Sequence, residues 1–172
     1  MTKNFWTDGA CSGNPGSGGW AVVELDQKVS PPVIIEYYME HTNNTTNNRM
    51  EMEAVLYVLK KACKDLDNEY VIYSDSAYVV NMCNDWIWKW AANGWKRSKN
   101  KEIENLDLVK KIYKYMNRDF PNFQIIKCIG HGGIIGNELA DALASSNINK
   151  FDKILENNKI TILPDSIFID KF

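Results

Sequence analysis

No stretch of this chain is long and apolar enough to cross a bilayer as a helix, which takes about 20 apolar residues. The opening residues Met1-Thr2-Lys3-Asn4 lack the apolar core of a secretion signal. Cysteine is scarce: Cys11, Cys63, Cys83 and Cys128 show no C-x-x-C spacing and no zinc pattern. They read as reduced thiols of a cytosolic-type compartment. Positive charge is not in excess either. The formal net charge is −2 and the pI about 5.7, so any polyanionic partner must be held by a local patch. The glycine-rich stretch Ser12–Gly19 has no Gly-Lys-Ser/Thr after it, which excludes a P-loop. A strand rather than a helix follows it, which excludes a dinucleotide fingerprint.

What remains is an ordinary globular composition, 45% hydrophobic and 24% charged over 172 residues, enough for one domain with a sizeable core. Strands are expected at Lys3–Cys11, Trp20–Leu25 and Val33–Met39, joined by short breaker-rich connections into an antiparallel meander. A helix is expected over Arg49–Leu66, then a strand Tyr70–Asp75 and a helix from Ser76 to about Trp90. Another helix follows at Leu106–Arg118, a strand at Phe123–Ile129, and a last helix from about Gly136 to Asn147. The fourth and fifth strands are separated by helices, so they should run parallel to their neighbours. The expectation is an α/β fold: a mixed five-stranded sheet, three strands antiparallel and two parallel, flanked by helices. Residues 1–148 would form the domain. Residues 149–172 would form a tail of open role, with apolar pieces at Ile160–Leu163 and Ile167–Ile169.

Four acids stand inside short, unusual motifs: Asp8 in TDGACSGNPG, Glu51 in TTNNRMEME, Asp75 in IYSDSAY and Asp141 in GHGGIIGNELAD. Hard divalent cations take oxygen ligands, so acids converging from distant segments make a metal site. Asp8 and Asp75 end strand-like runs that do not alternate, as central strands covered on both faces do. Open α/β sheets bind ligands at such strand ends. Each alone could equally be a turn or cap residue. Glu51 shares a helical stripe with Val55, Val58 and Ala62, whereas Glu53 falls on another side. A charge on the apolar side needs a cation or a proton. Asp141 lies off the Leu139–Leu143 stripe of its own helix.

Positive charge does gather in one place. Lys89, Lys96, Arg97, Lys99 and Lys101 crowd into one segment together with Trp86, Trp88, Trp90 and Trp95. Tryptophans interleaved with lysines favour nucleic-acid binding over a merely solvated loop. Trp88 and Trp90 can equally be packing residues.

TDGACSGNPGSGGW, TTNNRMEMEAV, YSDSAYV, WIWKW with GWK, and GHGGIIGNELADALA occur in this order with fitting spacing. From about Asn4 to Ala144 the chain resembles type 1 ribonuclease H. The resemblance implies a ribonuclease H-like sheet and cleavage of the RNA strand of RNA–DNA hybrids with two Mg²⁺ ions, leaving 5′-phosphate and 3′-hydroxyl ends. Mn²⁺ could substitute. It implies Asp8, Glu51, Asp75 and Asp141 as metal ligands, with Asp8 bridging, and His131 as a mobile histidine beside them. His41 has no comparable setting and is left as structural. By the same resemblance Cys11, Gly13, Asn14, Asn47, Asn48 and Glu51 would face the 2′-hydroxyls that distinguish RNA. Thr46 and Asn105 would hold a DNA phosphate and Trp86 would support the DNA strand. Lys89, Trp95 and Lys96, with Arg97, Lys99 and Lys101, would form a basic protrusion over the duplex. The implied partner is a hybrid duplex, engaged by a cytoplasmic monomer with no small-molecule cofactor and no membrane; a nuclear or other DNA-containing compartment is equally open. No separate N-terminal hybrid-binding module is expected.

The chain departs from the family pattern at Ala91-Ala92-Asn93, at Asn44 and at Ala77, positions where relatives often carry basic or polar residues. Each removes a contact to nucleic acid, so lowered, less salt-sensitive hybrid affinity is expected. The apolar Ile134-Ile135 beside His131 has no explanation in the sequence. Two other readings share the scaffold: a non-catalytic hybrid or RNA binder, and a different nuclease of the same fold. The four retained acids argue against the first, and the 2′-hydroxyl set against the second.

Overall fold

The structure, a computed structural model, describes residues 1–164. The chain begins with β1 (Thr2–Gly13), β2 (Gly16–Asp26) and β3 (Val33–Thr45), and α1 (Asn47–Ala62) follows. After β4 (Glu69–Ser74), one helical segment comprises α2 (Ala77–Asn81), a π turn (Met82–Trp86) and α3 (Ile87–Ala92). The chain continues with α4 (Leu106–Met116), β5 (Phe123–Lys127), α5 (Ile135–Ala144), α6 (Ile148–Asn158) and a short β6 (Thr161–Ile162).

The strands form one sheet in the order β5-β4-β1-β2-β3-β6. β1, β2 and β3 are antiparallel neighbours, while β4 and β5 run parallel on the other side of β1. That is the expected mixed sheet with one strand more. The sixth comes from the tail: β6 pairs parallel with β3 through Val33–Thr161 and Ile34–Ile162. Ile160-Thr161-Ile162-Leu163 is therefore an edge strand, and Ile167–Ile169 lies outside the described residues.

Side chains alternate across the strands, so each strand feeds two cores. On one face Phe5, Val22, Tyr70, Ile72 and Ile125 meet α1, the α2–α3 segment and α4. On the other, Trp6, Ala21, Val23, Leu25 and Ile34 meet α5 and α6. Met52, Val55, Val58, Leu59 and Ala62 of α1 are all buried, the stripe its sequence implies. The helix starts two residues before the expected Arg49, because the Thr46 hydroxyl accepts the Arg49 N–H at 3.3 Å and caps it. It stops at Ala62, short of Leu66.

Coverage of the sheet is uneven. β1 is buried continuously from Phe5 to Gly9, as expected for a strand covered on both faces. β4 is not: Tyr70, Ile72 and Ser74 are buried, but Val71 and Tyr73 are half-buried. The reason is that α5 lies over β1, β2 and β3, leaving this face of β4 partly open.

The last expected helix ends at Ala144 rather than Asn147, and a further helix, α6, follows at once. Its Phe151 is buried with Ile160 in the core beneath α5. The segment after residue 148 thus packs on the domain up to residue 163. No helix among the described residues is long and apolar enough to cross a membrane, and the four cysteines are unpaired.

Candidate active site

The parallel register places Thr7 of β1 beside Ser74 of β4. The next residues, Asp8 and Asp75, therefore leave adjacent strands at the same level. Asp8 is not at the end of its strand, since β1 runs on into the hairpin with β2. It marks the end of the parallel ladder, where β1 and β4 diverge. Glu51 reaches the same point from the first turns of α1. That approach requires Gly9: a Cβ there would run into the Glu51 backbone nitrogen and Met50. Ligand oxygens of Asp8, Glu51 and Asp75 lie within 4.8 Å of one another.

Asp8 and Glu51 are 4% and 3% exposed, so their charges are largely desolvated. Burial, followed by the charges of Glu51 and Asp75, raises the Asp8 carboxyl far above the ordinary carboxylate range. Burial and the charge of Asp75 raise Glu51 as well, although hydrogen bonds from Asp8 and the Gly9 backbone oppose that rise. The Glu51 Oε2 atom is buried with no hydrogen-bond partner. Three converging acids, one with an orphaned oxygen, are a donor set fitted to a hard divalent cation.

Asp75 is held from the side by Asn137 of α5, whose Nδ2 donates to Asp75 Oδ2 at 3.1 Å. The Asn137 carbonyl accepts the His131 N–H at 3.3 Å. One buried amide thus ties the Asp75 strand end to the histidine loop. Gly130 is needed there, because a Cβ would crowd Asp75 Oδ2 at 2.6 Å. Asn137 is missing from the residues expected at the site. Its signal was an amide on the Asn137–Ala140–Ala144 stripe, an apolar face where a polar residue needs a partner.

Asp141 lies outside the Asp8–Glu51–Asp75 cluster, although its charge still helps to raise Asp8 and Glu51. Its ligand oxygen clusters instead with His131 and Glu138, again within 4.8 Å. Lys150 of α6 pairs with Asp141 Oδ2 at 2.6 Å and with Glu138 Oε2 at 2.8 Å. Neither Glu138 nor Lys150 is among the expected site residues. Lys150 could not be found from spacing, because it reaches the site only through the packing of α6 on α5. His131 is exposed, with a positive φ of 52°.

Around this centre lie the other residues singled out in the sequence. The Cys11 Sγ donates to the carbonyls of Gly13 and Thr45 at 2.7 and 3.3 Å, fixing the hairpin end against β3. The Asn14 side chain accepts the Asn47 N–H at 2.9 Å, joining that hairpin to the start of α1. Asn14, Thr46, Asn47, Asn48 and Asn105 line one open cavity of about 680 Å³, with Glu104. Arg49 donates to Asn105 at 3.2 Å and grips Asp107 bidentately at 2.9–3.0 Å. Asn44, where relatives often have arginine, is exposed, and the nearby Arg49 is held by its own acid.

Trp86 sits in the π turn, 5.7 Å from Tyr78 and 6.0 Å from Trp90. These three rings line a second cavity, about 360 Å³, with Arg97, Ser98 and Glu104. Trp90 packs on the core, whereas Trp88 is 40% exposed and meets Tyr113. Trp95 stands edge-on to Tyr113 at 5.0 Å under Lys110, so its ring is turned to α4. Lys89 is exposed and pairs with Asp85 at 3.1 Å. Lys96, Arg97, Lys99 and Lys101 are all exposed on the loop beyond α3. His41 bonds Ser146 at 2.8 Å, joining β3 to the end of α5, a structural role.

Residues 2–149 match the RNase H family model. A ribonuclease H of Caldicellulosiruptor saccharolyticus is 38% identical over 150 residues, 85% of this chain and 95% of that protein. A ribonuclease H of Francisella tularensis subsp. novicida is 40% identical over 146 residues, 83% of this chain and 88% of that protein. Among solved structures, LC11-RNase H1 in complex with RNA/DNA hybrid superposes with a TM-score of 0.61 at 26% identity, over 86% of this chain and 97% of that one. The sheet, the buried acids and these likenesses agree, and the chain belongs to the ribonuclease H family of endoribonucleases.

Proposed function

We propose that this chain hydrolyses the RNA strand of RNA–DNA hybrids with two bound Mg²⁺ ions, leaving 5′-phosphate and 3′-hydroxyl ends. The observation that carries the reading is the converging Asp8–Glu51–Asp75 trio, two of them buried and one half-buried, with its orphaned Glu51 oxygen. Such a trio has no use in a protein that only binds. Asp8, Glu51, Asp75 and Asp141 would hold the cations, with Asp8 shared. When bound, the ions supply an activated water and offset charge on the leaving 3′ oxygen.

The chain's own groups do the rest. Asn137 fixes Asp75 through one of its carboxylate oxygens, Oδ2. His131, exposed on a loop tied to Asn137, is placed to carry protons or help release product. Cys11, Gly13, Asn14, Asn47 and Asn48 would face the RNA minor groove, where the 2′-hydroxyl distinguishes RNA from DNA. Thr46 and Asn105, on the 680 Å³ cavity, would grip a DNA phosphate. Trp86 and the loop carrying Lys96 would follow the DNA strand, and Lys89 and Trp95 would frame it. The hybrid in the LC11-RNase H1 structure supports this choice of substrate.

Incubation with Mg²⁺ and labelled hybrid, double-stranded RNA, double-stranded DNA and single strands tests the reading. Cleavage confined to the RNA of the hybrid, abolished by Asp8→Asn, is expected. No cleavage with Mg²⁺ or Mn²⁺ would make the chain a binding module.

A further inference from the structure

Lys150 is the cation nearest Asp141. Its position is built rather than incidental. The Asn147 side chain caps α6 by accepting the Lys150 N–H at 3.0 Å, and the neighbouring Phe151 is buried under α5. The lysine stem is thereby fixed beside α5, and its ammonium is 2.6 Å from Asp141 and 2.8 Å from Glu138. A lysine in the first turn of a helix faces the positive end of the helix dipole, an unfavourable place. Two carboxylates on the next helix outweigh that cost. The ammonium therefore occupies an oxygen of Asp141, on the acid set that also includes the His131 ring.

We propose that Lys150 is a tethered competitor of the divalent cation at Asp141: metal loading on that side requires its ammonium to leave. The proposal rests on Asp141 being a metal ligand. It makes α6 a positioning element for the active site, not only a cover for the core. With the lysine in place, one of the two negative charges of Asp141 and Glu138 is offset and the two carboxylates are held together. Without it, two like charges face each other and attract a cation more strongly. Lys150 is thus a positioning residue, acting on the reaction through Asp141.

Calorimetric titration of the nucleic-acid-free protein with Mg²⁺, and separately with Mn²⁺, tests this. Lys150→Met keeps the stem and removes the charge. It should tighten binding of the weaker ion about twofold to fivefold, the range of one partly exposed ion pair. Lys150→Arg should bind like the parent chain. Asp141→Asn should weaken the same binding step and erase the gain from Lys150→Met in the double variant. The Mg²⁺ concentration for half-maximal cleavage should fall in Lys150→Met by a similar factor. If Asp141→Asn weakens binding but Lys150→Met leaves it equal or weaker, the competition is refuted while Asp141 stands as a ligand. If Asp141→Asn leaves metal binding unchanged, the ligand assignment fails, and the competition with it. Lys150→Gln serves as a second uncharged variant should the methionine perturb folding, which circular dichroism reports.

Discussion

The acids of this molecule solve one problem in two ways. At the sheet, Asp8, Glu51 and Asp75 meet with no lysine or arginine among the described residues pairing them, and burial drives Asp8 and Glu51 toward the protonated form. At the rim, less than 10 residues along α5 from the histidine loop, Glu138 and Asp141 are paired by Lys150. Under the proposed metal-dependent reading, the trio is left free for an exchangeable cation. At the rim the chain places a cation of its own, the Lys150 ammonium, on two half-buried carboxylates. The difference teaches that the same residue type is left uncompensated where acids are buried together and is paired with a lysine where they reach the rim.

The sharpest way to break this contrast is Asp8→Asn. Cleavage of hybrid RNA should fall by about 10³-fold or more, since several kcal/mol of charge stabilisation disappear. The same change should raise the urea midpoint of the metal-free protein at pH 8, because folding at that pH forces the buried Asp8 carboxyl to take up a proton, a cost that asparagine does not carry. Asp141→Asn should lose activity with a smaller gain, since Asp141 is only half-buried and part of its charge is offset by Lys150. If both variants stabilise equally, the contrast is wrong.

A smaller effect is expected at Asn137. Asn137→Ala removes the amide holding Asp75 and the His131 loop, and outer hydrogen-bond partners of this kind are worth about 10–100-fold in activity or metal affinity. Steady-state cleavage with Mg²⁺ titration measures it.

Glu24 offers an intermediate case, buried on β2 opposite Glu36, with Lys3 and Lys61 nearby. Burial first, and then the Glu36 charge, push its carboxyl up to about 7. The folded state holds this proton more tightly than the unfolded chain. Its contribution to stability is therefore full below the usual glutamate range and is lost as pH rises through about 7. Glu24→Gln should stabilise the protein by about 1 kcal/mol at pH 8, the full shift being discounted for screening by water and the two lysines. It should do nothing at pH 4, as thermal melts at the two pH values will show.

Least affected should be Lys96→Ala, in the exposed basic loop. It should weaken hybrid binding uniformly across sequences and lower the slope of log affinity against log salt by about 1. An unchanged slope would place that loop off the duplex.

Much of this was legible without coordinates. Helical periodicity separated buried Glu51 from Glu53, because a 3.6-residue repeat is a local property of the backbone. The meander and the parallel pair followed from connection lengths. What local pattern could not supply were juxtapositions across elements. The apolar Ile160–Leu163 did not reveal its partner β3, and the open side of β4 depended on how far α5 reaches over the sheet. Asn137 carried a weak signal, a polar residue on an apolar stripe, but nothing in the sequence named Asp75 as its partner. The resemblance brought Asp141 to the centre. The structure sets it beside Glu138 and Lys150, one step from the trio.

The sequence by itself determined which acids are the candidates for the chemistry, since motif order, helical phase and turn residues are written along the chain. Only the tertiary structure decided how their charges are balanced. Electrostatic energy depends on distance and burial, and those were set when α1 closed on Gly9 and α6 docked on α5, bringing Lys150 to an acid nine residues away in sequence and 2.6 Å away in space.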